Sequence, residues 1–286
     1  KSFSNDSIKD EIDSTYNFWL TANEAGINIK LKSQSYYKKI SVMYGNSVLP
    51  CAVDIYDNEN HILMSDTLPE SKWFNLFSFH VLNSPNYIKI NFNSEISPDF
   101  YGLLMDSYNG VQVDNYAIRG HSGGGLLKIN QAYLASQLKV LNTKLIIFQY
   151  GGNVVPYVKD STDLKNLESL YYSLFSKFKK VAPNSAILVI STGDMSRKQG
   201  ELYVSYSQIP QIVEVQKNAA LKANCAFWDL YSAMGGENSI RAWAAKGLAS
   251  PDGHFAYRGQ QIIGDELFKA IMAEYNSYQA RKRKFL

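Results

Sequence analysis

The chain has 286 residues, of which 45% are hydrophobic and 19% are charged, and its formal net charge is +3. This composition indicates a globular protein with one large or two moderate domains, and the net charge is too small to indicate nucleic acid or a membrane surface as a partner. Two cysteines exclude a disulfide framework and a cysteine-rich metal site, and no stretch approaches the roughly 18 apolar residues that span a bilayer.

The first part of the chain, residues 1–107, is predicted to form a β-sandwich domain. Short runs of strand-forming residues recur here, and Ile88–Phe92 alternates apolar and polar side chains as half-buried strands do. Many short strands with no helical period between them are typical of an antiparallel sandwich. The runs are Tyr16–Leu20, Ile27–Leu31, Ile40–Tyr44, Ala52–Tyr56, Ile62–Ser65, Phe74–Leu82 and Tyr87–Phe92, followed by a last strand at 100–107.

The second part, residues 108–286, alternates between predicted strands and predicted helices. This order indicates βαβ crossovers and a parallel sheet that is covered by helices on both faces. Active sites of such sheets lie outside the carboxyl ends of the strands. The predicted strands are Val111–Ile118, Leu145–Gln149, Ala186–Ser191 and Ala226–Leu230, and the predicted helices are Leu126–Leu141, Asp163–Val181, Gln208–Ala223 and Gln260–Tyr275.

Polar and glycine-rich segments follow these strands. Gly120 exposes a backbone N–H and Asn153 offers a side-chain N–H, so the two could form an oxyanion hole for acyl transfer. His254 with Asp252 could supply a general base and its orienting carboxylate. Each residue also has a simpler interpretation, because Gly-Gly-Asn is what a tight turn requires and a histidine in a Gly-Pro loop is often a surface residue. The segments are Arg119–Gly125, Gly151–Asn153, Ser191–Met195, Asp229–Gly236 and Ser250–Phe255.

The order of these segments resembles that of the SGNH hydrolases, or GDSL esterases. Gly120 matches the second block of that family, Gly151-Gly-Asn153 the third and His254 the fifth. The stretch AFWDLYSAMGGENSIRAWAAKGLASPDGHF resembles the peptidoglycan and polysaccharide O-acetylesterase branch, whose members carry an inserted β-sandwich. The resemblance implies a three-layer, flavodoxin-like α/β domain preceded by a jelly-roll-like sandwich. It favours an oxyanion role for Asn153 over a turn role.

The first block of the family, Gly-Asp-Ser at the end of an apolar strand, is absent from this sequence. The segment Leu103–Ser107 ends in Asp-Ser, but only residues 108–119 separate it from Gly120, which leaves no room for the helix that the family places there. We therefore expect Ser107 not to be the nucleophile. The expectation is that the missing strand and its serine come from a segment upstream of Lys1 or from a partner chain.

The fifth block also departs from the family pattern. Asp252-Gly-His254 is one residue shorter than Asp-x-x-His, and Pro251 stands where the family has its carboxylate. Two alternatives stay open: Asp252 reaches the imidazole from a tighter turn, or a backbone carbonyl orients it. His121, beside the oxyanion glycine, is a candidate for substrate contact together with Gly152, although a surface histidine is equally consistent with the pattern.

The resemblance implies an esterase or acyltransferase that acts on small acyl groups, acetyl above all, of a carbohydrate or peptidoglycan. It implies a secreted, periplasmic or cell-envelope location, and no metal or organic cofactor. The alternatives are an inactive relative that binds carbohydrate through its aromatic-rich sandwich, and an interaction subunit that receives the missing strand from a partner. The 20 tyrosines and 4 tryptophans suit stacking on sugars, although many of them belong to apolar strand patterns.

Overall fold

The structure is a computed structural model that describes residues 14–20, 24–31, 36–107 and 109–283. The chain divides into two compact units, Lys1–Tyr116 and Ala117–Leu286, so the division falls nine residues beyond the predicted boundary at residue 107. None of the described helices is long and apolar enough to cross a membrane.

The N-terminal unit is built from two antiparallel sheets. One sheet has the strand order β1-β2-β7-β4-β5 and the other has the order β6-β3-β8. The strands are β1 (Ser14–Leu20), β2 (Glu24–Leu31), β3 (Lys39–Gly45), β4 (Cys51–Tyr56), β5 (Ile62–Leu68), β6 (Asn75–His80), β7 (Tyr87–Asn93) and β8 (Asp99–Asp106). All the predicted runs correspond to strands, and the predicted last strand is β8.

The core of this unit lies between its two sheets. In β4, Val53 and Ile55 are fully buried while the residues between and beside them are more exposed, which is the alternation expected of a strand with one face covered. Ile40 of β3 and Ile90 of β7 belong to the same buried cluster. The two sheets therefore pack face to face as a sandwich. Each such aliphatic side chain contributes about 1.5–3 kcal/mol by leaving water.

The C-terminal unit contains a three-stranded parallel sheet with the order β13-β10-β9. A separate hairpin, β11-β12, follows the central strand. The strands are β9 (Leu145–Gln149), β10 (Ala186–Ile190), β11 (Ser196–Gln199), β12 (Leu202–Ser205) and β13 (Ala226–Trp228). The helices are α1 (Gln131–Val140), α2 (Ser161–Val181), α3 (Ile209–Lys222), α4 (Leu230–Met234), α5 (Ser239–Ala245) and α6 (Tyr257–Arg283), with 3-10 helices at Gly124–Lys128 and Gly152–Tyr157.

Helices cover both faces of the parallel sheet. In the central strand, Ile187 and Val189 pack with residues of α2 and α3, whereas Leu188 and Ile190 pack with residues of α4 and α5 on the other face. A strand that is apolar at consecutive positions is what a sheet buried on both faces requires. The three-layer α/β arrangement expected for this domain is thus observed.

Two predicted elements differ from the structure. Val111–Ile118 is not a strand, and Val111 and Val113 are 93% and 87% exposed. Backbone groups of a strand need a neighbouring strand, and within the described residues β9 forms its ladder with β10 and not with this segment. The predicted helix Leu126–Leu141 is divided, because the Asn130 side chain accepts a hydrogen bond from Tyr133 N at 3.1 Å and starts α1 there.

Candidate functional site

The turn after β9 places Asn153 at the carboxyl end of the parallel sheet. Gly151 has a φ of 122°, and a Cβ there would stand 2.8 Å from the Thr192 Cβ, so only glycine fits. The 3-10 helix that begins at Gly152 then carries Asn153, which is exposed. Gly152 is also exposed, and a Cβ there would come no closer than 4.0 Å to the Thr192 hydroxyl.

Asn153 contacts the predicted oxyanion turn. Its Nδ2 donates a hydrogen bond to the carbonyl oxygen of His121 at 3.2 Å. Gly120, the preceding residue, is exposed and has a φ of 73°, and a Cβ there would meet no atom within 4 Å. The structure therefore brings the Gly120-His121 turn and the Asn153 side chain into contact.

His121 organises its own loop. Its Nδ1 accepts a hydrogen bond from Gly123 N at 3.2 Å, and its ring lies against Gly125, where a Cβ would clash with Nε2. Its ring centroid is 6.1 Å from that of Tyr150. These contacts give His121 a local structural role in addition to the substrate contact predicted for it.

A buried glutamine of α3 fixes the Asn153 turn. The Gln216 side chain is 1% exposed, donates to Tyr150 O at 2.7 Å and accepts from Thr192 N at 2.9 Å. It therefore ties the loop after β9 to the loop after β10. Sequence reasoning missed this residue, although its position gives a signal: Gln216 is a polar residue in the apolar stripe of α3, three residues after Val213 and three before Ala219.

The loop between α5 and α6 brings Asp252 to His254. Asp252 Oδ1 lies 3.1 Å from His254 Nδ1, and the side chains are 63% and 86% exposed. The hydrogen bond from the Ser250 hydroxyl and the contacts with His254 lower the pKa of Asp252. Of the two alternatives for orienting the imidazole, the structure shows the tighter turn that starts from Asp252.

Gly253 makes this tight turn possible. Its φ is 95°, and a Cβ there would stand 2.9 Å from the Met195 Cβ. The loop is held to the segment after β10 by Ser196, whose backbone N–H and hydroxyl both donate to Pro251 O, at 2.9 and 2.6 Å. Segment 191–196 thus anchors both the Asn153 turn, through Thr192, and the His254 loop, through Ser196.

Asp194 lies inside this anchoring segment. It is 2% exposed, and burial raises the pKa of its carboxyl. Its Oδ2 accepts hydrogen bonds from Ser205 Oγ at 2.9 Å and from Ile240 N at 3.0 Å, which joins the end of β12 to the start of α5. The sequence placed Asp194 at a strand end but gave it no role.

Two other expectations concern a nucleophile and a metal. Ser107 follows β8 and belongs to the N-terminal unit. Within the described part of the chain, no serine hydroxyl is hydrogen-bonded to the ring of His254; the nearby Ser250 hydroxyl donates to Asp252 and to the His254 carbonyl. The residues that the structure describes include no group of three or more His, Cys, Asp or Glu that could hold a metal ion.

Comparison with known proteins identifies the fold. No family model and no curated protein matches the chain. A solved structure of a peptidoglycan O-acetylesterase is similar over 96% of this chain and 81% of its own, with 16% identity and a TM-score of 0.72. The chain thus has the fold expected from its resemblance to the SGNH hydrolases: a parallel α/β domain combined with an antiparallel β domain.

Other solved structures match less of the chain. An acetyl xylan esterase is 18% identical over 54% of this chain and 78% of its own, with a TM-score of 0.39. A lipopolysaccharide acetyltransferase periplasmic domain from Salmonella is 15% identical over 48% of this chain and 60% of its own, with a TM-score of 0.35.

Proposed function

We propose that this protein takes part in the hydrolysis or transfer of small acyl groups, acetyl above all, on a carbohydrate or peptidoglycan. The observation that carries the proposal is the 3.1 Å contact between Asp252 Oδ1 and His254 Nδ1 in the loop before α6. An imidazole held at Nδ1 by a carboxylate presents Nε2 as a base. A solved structure of similar fold is that of a peptidoglycan O-acetylesterase.

Each residue of the site has a role in the proposed reaction. His254 Nε2 takes the proton of a serine hydroxyl as the serine oxygen bonds to the acyl carbon, and then gives that proton to the departing sugar alkoxide. The Gly120 N–H and the Asn153 Nδ2 donate to the oxyanion formed in between. In the described structure one N–H of Asn153 Nδ2 donates to His121 O, which leaves its second N–H for the oxyanion. Water then repeats the sequence on the acyl-enzyme.

The serine of this mechanism belongs to a Gly-Asp-Ser block that the sequence lacks. The proposal therefore assigns to these residues the base and the oxyanion donors, and the nucleophile to a further segment. Action at the cell envelope or outside the cell is part of the proposal, because that is where peptidoglycan lies. Neither a metal nor an organic cofactor has a role in these steps.

Substitution of Asn153 tests the proposal in a form of the protein that carries the serine. Asn153→Ala is expected to lower kcat on an acetyl ester about 10²–10³-fold, the typical loss for one oxyanion donor. Asn166→Ala, at an exposed position of α2, is the matched control and is expected to leave kcat unchanged. An unchanged kcat in Asn153→Ala would show that Asn153 is a turn residue and not an oxyanion donor.

A second candidate is a carbohydrate-binding relative without catalysis. The absence of a serine hydroxyl at His254 in the described residues favours it. In the sandwich, Trp73 is 43% exposed and Tyr101 is 41% exposed, which suits stacking on sugars. Under this candidate, Trp73→Ala weakens glycan binding, whereas His254→Ala leaves every measurable activity unchanged.

A further inference from the structure

A cavity of about 260 Å³ lies between the β11-β12 hairpin, helix α5 and the His254 loop. Its walls combine aromatic, aliphatic and charged side chains. The lining residues include Glu201, Leu202, Tyr203, Arg241, Ala244 and Pro251. None of the roles proposed above for the site uses this cavity.

The side chains of the cavity suit a sugar ring. Tyr203 is 45% exposed and offers an apolar ring surface, while Glu201 and Arg241 are exposed. Neither Glu201 nor Arg241 forms an ion pair with another described residue, so the carboxylate is free to accept and the guanidinium free to donate hydrogen bonds. A pyranose presents a C–H face to an aromatic ring and a rim of hydroxyls to polar groups.

The charges of the cavity favour an uncharged ring. Glu201 and Arg241 balance each other, so the cavity offers no net attraction for a carboxylate. An acidic sugar placed against Arg241 would also face the Glu201 carboxylate, which repels it.

A buried carboxylate links the two elements that form the walls of the cavity. Asp194 Oδ2 accepts from Ser205 Oγ, at the end of β12, and from Ile240 N, in the first turn of α5. One buried carboxylate therefore sets the spacing between the hairpin and the helix. A site whose walls are held in advance loses little entropy when it binds.

The cavity is adjacent to the proposed base. Pro251 lines it, and His254 follows three residues later. Because three residues span at most about 11 Å, His254 lies within reach of a glycan whose neighbouring sugar occupies the cavity.

We propose that this cavity is a subsite for an uncharged sugar ring, next to the sugar that carries the acyl group. Tyr203 stacks on the ring, and Glu201 and Arg241 hydrogen-bond its hydroxyls. The proposal rests on the proposed function for its placement beside the ester. The binding itself needs no acyl group and no nucleophile.

Binding of two matched trisaccharides to the whole 286-residue chain tests the subsite. Saturation-transfer-difference NMR titrations compare the uncharged N,N′,N″-triacetylchitotriose with the acidic trigalacturonic acid. The wild type is expected to bind the uncharged trisaccharide more tightly. Tyr203→Ala is expected to weaken that binding at least about tenfold, and Arg241→Gln and Glu201→Gln several-fold each. Tyr278→Ala, at a 51% exposed tyrosine of α6, is the control and is expected to bind as the wild type does.

Three outcomes would overturn the subsite: no binding of the uncharged trisaccharide, tighter binding of the acidic one, or wild-type binding by Tyr203→Ala. Equal unfolding midpoints of the variants and the wild type show that a loss of binding is not a loss of fold. Because the titration involves no ester, failure of the acyl-transfer proposal leaves this result unaffected. Conversely, an active esterase whose Tyr203→Ala variant binds normally would refute the subsite alone.

Discussion

Replacing Gln216 by methionine should destabilise the C-terminal unit and loosen the Asn153 turn. Methionine keeps the length of the side chain but removes its donor to Tyr150 O and its acceptor for Thr192 N, which are bonds of 2.7 and 2.9 Å. A buried polar group that loses its partner costs about 1–3 kcal/mol. Thr192 is buried and Tyr150 is half-buried, so the expected loss in the free energy of unfolding is about 2–4 kcal/mol.

Denaturant unfolding gives the total loss, and hydrogen exchange measured by mass spectrometry locates it. Peptides that cover residues 150–155 should exchange faster in Gln216→Met than in the wild type, while peptides from the sandwich should not change. Gln211→Met is the matched control, because Gln211 lies on the same helix but is exposed. If Gln216→Met costs no more than Gln211→Met, the two hydrogen bonds do not hold the turn and the inference is refuted.

Three further predictions concern the His254 loop and the nucleophile. In denaturant unfolding, Gly253→Ala should lower the free energy of unfolding by more than Gly247→Ala. Both glycines have positive φ, but only a Cβ at position 253 would clash with Met195. Equal losses in the two variants would contradict this. Because the pKa of Asp252 is lowered in the folded protein, its ionised carboxylate stabilises the fold above its unfolded pKa of about 3.9, and this stability is lost as the pH falls. Asp252→Asn should therefore make the free energy of unfolding less dependent on pH in the acid range. An unchanged pH dependence would contradict this. The 286-residue chain should not react with a fluorophosphonate probe; labelling that Ser107→Ala abolishes would make Ser107 the nucleophile.

The elements that the sequence predicts best are those whose pattern comes from burial within one unit. Leu145–Gln149 has the predicted bounds, since a short apolar run bounded by turn residues is typical of a β-strand. The strand-end segments follow from the same logic, because parallel strands direct their carboxyl ends to one edge. Val111–Ile118 shows the limit of this reasoning: alternation describes a strand's faces but does not supply the neighbour that its backbone needs.

The hairpin β11-β12 and the residues beneath the site were not predicted, because their roles depend on contacts between distant parts of the chain. Gln216 joins residues 150 and 192, and Asp194 joins residues 205 and 240. Each is a polar residue in a segment whose pattern is explained by local structure alone. A buried polar side chain with two partners far away in sequence is only weakly indicated by the sequence, for example as a polar residue within an apolar stripe.

The His254 loop shows why spacing in sequence is a poor measure of distance in the fold. Judged by spacing, Asp252 is one residue too close to His254, and Pro251 occupies the expected place of the carboxylate. The positive φ of Gly253 reverses the chain so sharply that Asp252 Oδ1 still meets His254 Nδ1. The Pro251 carbonyl, meanwhile, accepts two hydrogen bonds from Ser196 and fixes the loop to the start of β11. The shorter spacing therefore still places the Asp252 carboxylate against the imidazole, because the residue between them is a glycine with positive φ.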